Sequence, residues 1–513
     1  MNLKYVIYKR STPSGRIRSK VSGGISFSGL DIISHTLQTS DNKVIKPYLG
    51  IIILATACLA VYFPIFSNDF LYQWDDQWVL MNHYTEGGVN LQNLWSILTQ
   101  FHQGQYGPVN EYMYLAVYSF FGYNPFVFHI ASLLLHIGCV CLSYIIILRL
   151  FTQILLHQSS PLRHCVFHPQ SPSQFSAVAF ITVLLFAIHP MNVESVAWIS
   201  ASKILVYAFF YLLATYTCMI YLDRKKIGFY ILTVVLFALS FGGKEQAVVF
   251  PVWMLILYRL YGHTLRERKV WIEVAPFFVM AVAFGIVTML SQAANGSGIL
   301  SNQETYPLWQ RFVLGCYSLV EYIVKFTFPY NLLYIYPFPM TVGEALPAWI
   351  LLYPAIIFII VTALWNYLKK APFSIGLAFF LIHIALVLHI IPLSRYVVIA
   401  DRYNYLACIG LSFIVAWYAV AFLASRKATV RKIAIGCLVC IALCLSIYSN
   451  LRCRDWKDTD SIKKELRELL KQREDYVPPP EIEKLMGATS FRCKHGDCRS
   501  SPAKNRKNKH ILC

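Results

Sequence analysis

The segment Tyr48–Phe66, YLGIIILATACLAVYFPIF, is followed almost at once by Phe70–Val79, FLYQWDDQWV. The first segment carries no charge and has about the length that an α-helix needs to cross a bilayer. The second holds adjacent carboxylates, Asp75 and Asp76, flanked by two tryptophans of the kind that favour the membrane surface. A carboxylate at the bilayer centre costs about 3 kcal/mol or more. The acid pair is therefore expected at the surface, just past a membrane helix.

Two interpretations of the acid pair are open at this point. In the first, Asp75 and Asp76 form the catalytic centre of a membrane-embedded enzyme, and the other helices hold its substrates. In the second, they are a solvated loop pair between interfacial anchors. Their spacing alone does not discriminate between these interpretations, so the remainder of the chain has to decide.

The composition is that of a membrane protein. The chain has 513 residues, of which 57% are hydrophobic and only 14% are charged, whereas soluble domains carry roughly 25% charged residues. The net charge of +19 comes mostly from Lys and Arg beside the apolar segments and in the polar ends. This pattern orients membrane proteins in the bilayer, so we expect a lipid bilayer and no nucleic acid as partner. The 14 cysteines are scattered, which predicts no disulfide framework.

The chain divides into three parts. Residues 1–46 are predicted to be a disordered basic arm in the cytoplasm, and residues 47–450 a transmembrane catalytic domain. Within the latter, residues 67–124 form a large first external loop with two amphipathic helices, Leu91–Phe101 and Tyr112–Phe121, that lie in the membrane surface. Residues 451–513 are predicted to be an extracytoplasmic basic tail, with a short helix followed by disorder.

Apolar segments predict an all-α polytopic bundle of about eleven transmembrane helices, with the N-terminus inside and the C-terminus outside. The predicted spans are Tyr48–Phe66, Pro125–Phe151, Phe175–Ile188, Ile204–Leu222, Ile227–Phe241, Ala247–Leu260, Val270–Leu290, Ala348–Leu368, Phe373–Pro392, Tyr403–Ala424 and Ile433–Ser449. The segment 311–328 is predicted to be interfacial or re-entrant. It holds Glu321 and Lys325 at an ion-pair spacing, and a full crossing would invert the orientation of the next span.

This topology places four polar clusters on the external side. They are the acid pair, His189 with Glu194 in a short external turn, Lys244 with Glu245, and Asp401 with Arg402. Four clusters at one face predict a site. Each has a simpler explanation as a local ion pair or a turn-stabilising contact, and these alternatives stay open.

Five segments resemble a known family. They are YGPVNEYMYLAVYSFFGYNPFVFHIASLLLHI (106–137), AIHPMNVESVAWISASK (187–203), GGKEQAVVFPVWMLILYRL (242–260), FPYNLLYIYPFP (328–339) and ADRYNYLACIGL (400–411). With the early acid pair, they are similar in order to GT-C glycosyltransferases, in particular the tetratricopeptide-linked branch with its transmembrane O-mannosyltransferases and bacterial homologues. Two features differ: no tetratricopeptide period follows the last span, and Tyr106-Gly107-Pro108 stands where some relatives have Tyr-Arg-Pro.

The resemblance implies a GT-C bundle that transfers a sugar, a hexose such as mannose, with inversion. The donor is a polyprenyl-phosphate-linked sugar, and the acceptor is a protein or a glycan on the extracytoplasmic face. By analogy with relatives, Asp75 is the base, and Asp76 positions the acceptor or raises the pKa of the base. Lys244 and Arg402 are the candidates for binding the donor phosphate.

The other substrate-site candidates are Tyr106, His189, Glu194, Glu245 and Asp401. No cofactor is indicated, and no metal site is assigned, although a divalent metal stays possible. The expected location is a bacterial inner membrane, or the endoplasmic reticulum membrane in a eukaryote. The alternatives are a lipid or sugar transporter or flippase, and a non-catalytic GT-C-like scaffold. Transporters usually place ionisable groups near the midplane and contain internal repeats, and neither is seen in this sequence.

Overall fold

The structure is a computed structural model, and it describes residues 47–72, 74–156, 172–296, 305–340, 342–391 and 397–464. The predicted cytoplasmic arm and most of the predicted C-terminal tail lie outside these residues. The described chain is almost entirely helical; its strands, β1 (Tyr336–Pro337) and β2 (Val397–Ile399), pair antiparallel.

The helices are numbered here in chain order. They are α1 (Pro47–Tyr62), α2 (Asp76–Val79), α3 (His83–Glu86), α4 (Leu91–Thr99), α5 (Pro108–Phe121), α6 (Pro125–Leu156), α7 (Pro172–Ile188), α8 (Val193–Ala197), α9 (Ser202–Arg224), α10 (Ile227–Phe241), α11 (Phe250–Leu260), α12 (Arg268–Ala294), α13 (Leu308–Thr327), α14 (Tyr353–Ala363), α15 (Trp365–Leu368), α16 (Ala371–Ile384), α17 (Ala407–Leu423) and α18 (Ala428–Asp455). Short 3-10 helices occupy Phe63–Ser67, Pro190–Asn192, Ile199–Ala201, Glu245–Val249, Ile350–Leu352, Ala385–Val387 and Asp401–Asn404.

Several of these helices are long and apolar enough to cross a membrane. Among the described residues five meet that condition by themselves: Pro47–Ser67, Pro125–Gln153, Ile199–Arg224, Arg268–Ala294 and Ala428–Asp455. A bent pair formed by Pro172–Ile188 and Pro190–Ala197 makes a sixth, and four shorter apolar helices accompany them. The protein is thus an all-α, multi-pass membrane protein. The count of eleven spans and the orientation of the termini stay predictions.

Helix α9 lies in the interior of the bundle. It packs against α6 and α10, and its tyrosines Tyr207 and Tyr211 are almost fully buried. The outermost long helices, α12 and α18, instead expose most of their apolar side chains, as lipid-facing helices do. The N-terminal end of α9 is therefore held on several sides, which makes it a rigid support for side chains at that end.

The first loop contains the two expected amphipathic helices, α4 and α5. Leu91, Trp95 and Leu98 form an exposed apolar stripe on α4, at the spacing of one helix face. Helix α5 begins four residues earlier than the sequence predicted, at Pro108, because proline fits the first turn of a helix, where no N–H is needed.

The chain bends by 53° between α7 and the next helical piece. The bend falls at Pro190, which lacks a backbone N–H and restricts the residue before it. We expected a short external turn here. In the structure this turn is a fully buried segment, and the Asn192 side chain donates to the Phe186 carbonyl at 2.7 Å. Its place on the external side stays a prediction. The fold buries this segment because it packs against the 3-10 helix that carries Arg402.

Helix α13 covers the segment predicted to be interfacial or re-entrant, and among the described helices it does not meet the length and apolarity condition for a span. Its Lys325 ammonium is directed at the carbonyls of Tyr330 and Asn331, both at 3.4 Å. Glu321 accepts a hydrogen bond from Tyr353 at 3.4 Å. Lys325 thus binds the loop that follows α13, and Glu321 binds helix α14.

The folded body continues past the boundary that we placed at residue 450. Helix α18 runs on to Asp455, and Trp456 and Ile462 are buried in the main core. The Asn68 side chain donates to the Cys453 carbonyl at 2.9 Å, and the Asp69 N–H donates to the Lys457 carbonyl at 2.8 Å. Residues 451–464 therefore clamp the start of the first loop, just before the acid pair.

Candidate active site

Arg402 is held by Glu194. One Glu194 oxygen accepts from the Arg402 guanidinium in an ion pair, and the other accepts from the Arg402 backbone N–H at 2.7 Å. The Glu194 side chain is fully buried, whereas the Arg402 side chain keeps 16% exposure. Glu194 thus fixes the position of the guanidinium, and one side of the guanidinium remains accessible to a ligand.

Aromatic rings fix the plane of the same guanidinium. Its carbon lies 5.3 Å from the centre of the Trp198 ring and 4.9 Å from that of Tyr403, within the range of cation–π attraction. Trp198 in turn stacks on Trp456, with ring centres 5.5 Å apart. The segment after the last span therefore supports Arg402 through two stacked indoles.

Lys244 follows a turn that only glycine permits. A Cβ on Gly243 would lie 2.6 Å from the backbone nitrogen of Tyr207 in α9. This close approach brings Lys244 to the site, where its ammonium lies 3.4 Å from Glu245 and 5.8 Å from the centre of the Tyr403 ring. Lys244 and Arg402 thus share Tyr403 as a neighbour.

Lys203 is a third cation at this place. It sits in the first turn of α9, and its ammonium donates to the Gln105 side-chain oxygen at 2.8 Å. Its charge interacts with those of Asp75, Lys244 and Arg402. The three cations therefore form one cluster with Asp75.

The two acids of the pair point to different surroundings. Asp76 is buried, and it accepts hydrogen bonds from the Leu71 N–H at 2.9 Å, the Ser200 N–H at 3.0 Å and the Ser200 hydroxyl. Asp75 is half-buried and faces the cations. Asp76 thus fixes the acid loop to the 3-10 helix before α9, while Asp75 is directed toward the cluster.

The protonation equilibria of the pair differ from those of free aspartate. Burial raises the pKa of Asp75, and the nearby Lys203 and Arg402 charges and the Trp78 side chain act against that rise. Burial also raises the pKa of Asp76 to about 6, opposed by its hydrogen bonds from Ser200 and Leu71. A carboxylate with a raised pKa accepts a proton more readily, which suits a general base.

Asp401 lies beside Arg402 in sequence but bonds elsewhere. It accepts from the Tyr336 hydroxyl at 2.9 Å and from Arg452 at 3.1 Å, and both side chains of the Asp401–Arg452 ion pair are almost fully buried. Burial raises the pKa of Asp401 to about 7, with Arg452 acting against the rise. The Asp401 side chain therefore ties the 3-10 helix to α18.

His189 and Tyr106 make packing contacts. The His189 ring is stacked on Phe326 with centres 4.8 Å apart, and its Nε2 lies 3.0 Å from the Phe326 carbonyl. The Tyr106 hydroxyl donates to the Leu98 carbonyl at 2.8 Å, which joins α4 to the loop before α5. Neither side chain belongs to the cation cluster in its described contacts.

Sequence reasoning missed several groups at the site. Lys203 ends one of the quoted family-like segments, and a lysine at the start of an apolar helix was a usable signal. Glu111 in α5 is another: burial raises its pKa to about 7, with Asn82 and Lys203 acting against the rise. Trp456 and Arg452 carried no local signal, because both lie in residues 451–513, which the sequence predicts to be an extracytoplasmic tail.

Comparison with known proteins gives little beyond this geometry. No family model matches the chain, and no curated protein matches it. Among solved structures, the chain is similar to ArnT from Cupriavidus metallidurans bound to undecaprenyl phosphate. The sequences are 11% identical, the TM-score is 0.37, and the match covers 84% of this chain and 81% of that chain.

Proposed function

We propose that this protein is a GT-C glycosyltransferase of the membrane. It transfers a sugar, a hexose such as mannose, from a polyprenyl-phosphate carrier to a hydroxyl group of a protein or glycan acceptor. The observation that carries this proposal is the meeting of Asp75 with Arg402 and the neighbouring lysines at the end of an apolar bundle. A base beside cations, next to lipid, is what this transfer requires.

The reaction is a single displacement with inversion. The Asp75 carboxylate takes the proton of the acceptor hydroxyl, and the acceptor oxygen forms a bond to the anomeric carbon of the sugar. The bond between that carbon and the phosphate oxygen breaks, and its electron pair leaves with the polyprenyl phosphate. The products are the glycosylated acceptor, protonated Asp75 and a polyprenyl phosphate monoester.

Cations are needed because the leaving phosphate gains negative charge as the bond breaks. Arg402 is suited to this because Glu194 and two rings fix its guanidinium, so little reorganisation is required when the charge develops. Lys244 provides a second, point-like charge. Both residues were the phosphate-binding candidates of the sequence analysis.

The two acids have different tasks in this proposal. Asp75 is the base, and Asp76 holds the acid loop in place through Ser200 and Leu71. We therefore propose that Asp76 acts on Asp75 through the backbone and does not contact the acceptor. Glu194 positions Arg402, and Asp401 holds the same 3-10 helix through Arg452.

The orientation follows from the energy source. A polyprenyl-phosphate-linked sugar carries the energy of the transfer in its phosphate ester, so a transferase that uses it needs no nucleotide sugar on its side of the membrane. We propose that the site faces the periplasm of a bacterium, or the lumen of the endoplasmic reticulum in a eukaryote, with the N-terminus in the cytoplasm. The ordered family-like segments of the sequence support the same reaction class.

The test is transfer by the purified protein in lipid vesicles, with a polyprenyl-phosphate-linked mannose and a panel of peptide and glycan acceptors. Asp75→Asn is expected to abolish transfer while the protein still inserts and folds. Asp460→Asn is the matched control, because Asp460 is an exposed acid next to Thr459, whose hydroxyl donates to the Tyr72 carbonyl shortly before the acid pair. Wild-type turnover by Asp75→Asn would remove Asp75 from the mechanism.

The same assay separates the alternatives. Movement of labelled donor across the bilayer without product would favour a flippase. Donor binding without turnover over the whole acceptor panel would favour a non-catalytic scaffold.

A further inference from the structure

The three cations of the cluster differ in what their charges contact. Arg402 is ion-paired with Glu194, and Lys244 lies 3.4 Å from Glu245. The Lys203 ammonium instead donates to the neutral side-chain amide oxygen of Gln105, at 2.8 Å. A hydrogen bond from an ammonium to a neutral amide is weaker than one to an anion. Lys203 therefore gains most from exchanging its partner for an anionic oxygen.

Gln105 is placed so that its side chain can leave Lys203 when another ligand arrives. It closes a tight turn in which Gln103 and Gly104 both have left-handed backbone angles, with φ of 50° and 71°. The His102 and Gln105 backbones hydrogen-bond to each other at 2.9 and 3.1 Å. Because these backbone bonds hold the turn, the exposed Gln105 side chain can release Lys203 without opening it.

The same turn is anchored at two further points. His102 Nε2 lies 3.0 Å from the Trp78 carbonyl, next to the acid pair, and the Ser291 hydroxyl donates to the Gly104 carbonyl at 3.3 Å. The turn thus spans from the acid loop to the end of α12, and it sets the Gln105 side chain over Lys203.

The backbone beneath Lys203 is also fixed. Lys203 is the second residue of α9, directly after the 3-10 helix whose Ser200 is bound by Asp76. The long aliphatic stem of Lys203 starts from this rigid point, the residue is partly exposed, and its ammonium reaches the exposed Gln105 side chain. An anion that reaches Arg402 and Lys244 therefore also comes within the field of Lys203.

We propose that Lys203 binds a phosphate oxygen of the polyprenyl-phosphate donor, and that this oxygen replaces the Gln105 amide oxygen. The inference rests on the proposed function, because it takes the donor from it. In this proposal the Gln105 amide oxygen occupies, in the absence of donor, the position that the phosphate oxygen takes when the donor is bound. Lys203 and Arg402 then together hold the phosphate that leaves with the polyprenyl chain.

A simpler role for Lys203 is to neutralise Asp75, and the two roles predict different double variants. Lys203→Gln is expected to lose about tenfold or more in affinity for undecaprenyl phosphate, as for a hydrogen bond to a charged group. If Lys203 only neutralises Asp75, the double variant Asp75→Asn/Lys203→Gln regains wild-type affinity. If Lys203 binds the phosphate, the double variant stays weak.

The experiment measures binding of undecaprenyl phosphate and of undecaprenol to the full-length protein in detergent. The expected result is that wild type prefers the phosphate, Lys203→Arg keeps most of that preference, and Lys203→Gln and the double variant lose it. Lys457→Gln removes an exposed lysine whose backbone carbonyl accepts from the Asp69 N–H near the start of the first loop, and it is expected to bind like wild type. Thermal unfolding of each variant checks that it is folded.

Two outcomes would overturn the inference in different ways. Equal affinity of Lys203→Gln and wild type for undecaprenyl phosphate, or full recovery in the double variant, would refute the contact with Lys203 and leave the proposed function standing. A wild-type protein that does not distinguish undecaprenyl phosphate from undecaprenol would refute the proposed donor, and the contact with it.

Discussion

Glu194 binds Arg402 at two places, the guanidinium and the backbone N–H. The contact joins residues 208 positions apart, and it connects the bent segment after α7 to the 3-10 helix before α17. Because the acid is fully buried, its charge depends on Arg402 for compensation. The pair thus both supports the fold and fixes the direction of the cation.

Removing the Glu194 charge is therefore expected to affect stability and activity together. Glu194→Gln leaves the Arg402 guanidinium without its anion, and breaking a buried ion pair costs about 3–5 kcal/mol. We expect a lower unfolding midpoint in detergent and a large loss of transfer. In the double variant Glu194→Gln/Arg402→Gln, stability is expected to recover in part, while transfer stays lost. If the double variant were no more stable than the single one, the ion pair would not be the cause of the loss.

Substitutions of the two acids in the loop are expected to have different effects: Asp76→Ala lowers stability, whereas Asp75→Asn abolishes transfer without lowering stability. Asp76→Ala leaves the N–H groups of Leu71 and Ser200 without their acceptor, at about 1–3 kcal/mol for each buried group. Asp75→Asn removes a charge whose burial raises its pKa, so the stability is expected to be kept or slightly increased. Thermal unfolding and transfer are measured for both variants. A stable Asp76→Ala together with an unfolded Asp75→Asn would reverse the assignment of roles.

The pH dependence of transfer follows from the same carboxylate. A base must be unprotonated, and burial raises the pKa of Asp75, so transfer is expected to fall on acidification at a higher pH than for an ordinary aspartate. The Lys203 and Arg402 charges act against this rise in the pKa of Asp75. Lys203→Gln is therefore expected to shift the acidic limb of kcat/KM to still higher pH, which a pH profile at limiting donor measures.

The facing groups that also titrate near this range are Glu111 and Asp76, because burial raises their pKa values to about 7 and about 6. The variant Glu111→Gln tests whether Glu111 contributes to the acidic limb. An acidic limb that moved with Glu111→Gln, and not with Lys203→Gln, would assign the titration to Glu111.

The glycine turn before Lys244 gives a further test. In Gly243→Ala the new Cβ meets the backbone nitrogen of Tyr207 at 2.6 Å, which forces the turn away from α9 and moves Lys244. We expect reduced transfer and a lower unfolding midpoint. Gly228→Ala is the matched control, because a Cβ there meets nothing within 4 Å, and alanine in a helix is favoured by about 1 kcal/mol. Equal effects of the two substitutions would exclude the close approach as the cause.

Part of the site was predictable from the sequence. Apolar runs of about 20 residues are sufficient to predict membrane helices, because the bilayer fixes the length that they need. The same runs leave the polar residues at the ends of helices, so the clusters around Asp75, Glu194, Lys244 and Arg402 could be named in advance. Helical spacing also predicted α4 and α5 in the first loop.

The partners within the site required the tertiary structure. Asp75 and Asp76 have identical side chains and are adjacent in sequence, so local pattern cannot distinguish their roles. The packing of the loop on Ser200 decides which of them faces the cations. Helices surrounded by lipid are apolar on all sides, so hydropathy carries no information about which faces meet. The support of Arg402 by Trp198 and Trp456 could not be predicted from local sequence either, because the three residues lie far apart in the chain.

The sequence by itself thus determined that the chain crosses the membrane and where its charges can lie, since both follow from the cost of burying charge in hydrocarbon. Only the tertiary structure decided that Lys203 joins the cluster, that Asp76 is a structural anchor, and that residues 451–464 belong to the folded body. These depend on contacts between segments far apart in the chain, and such contacts have no signature in local spacing.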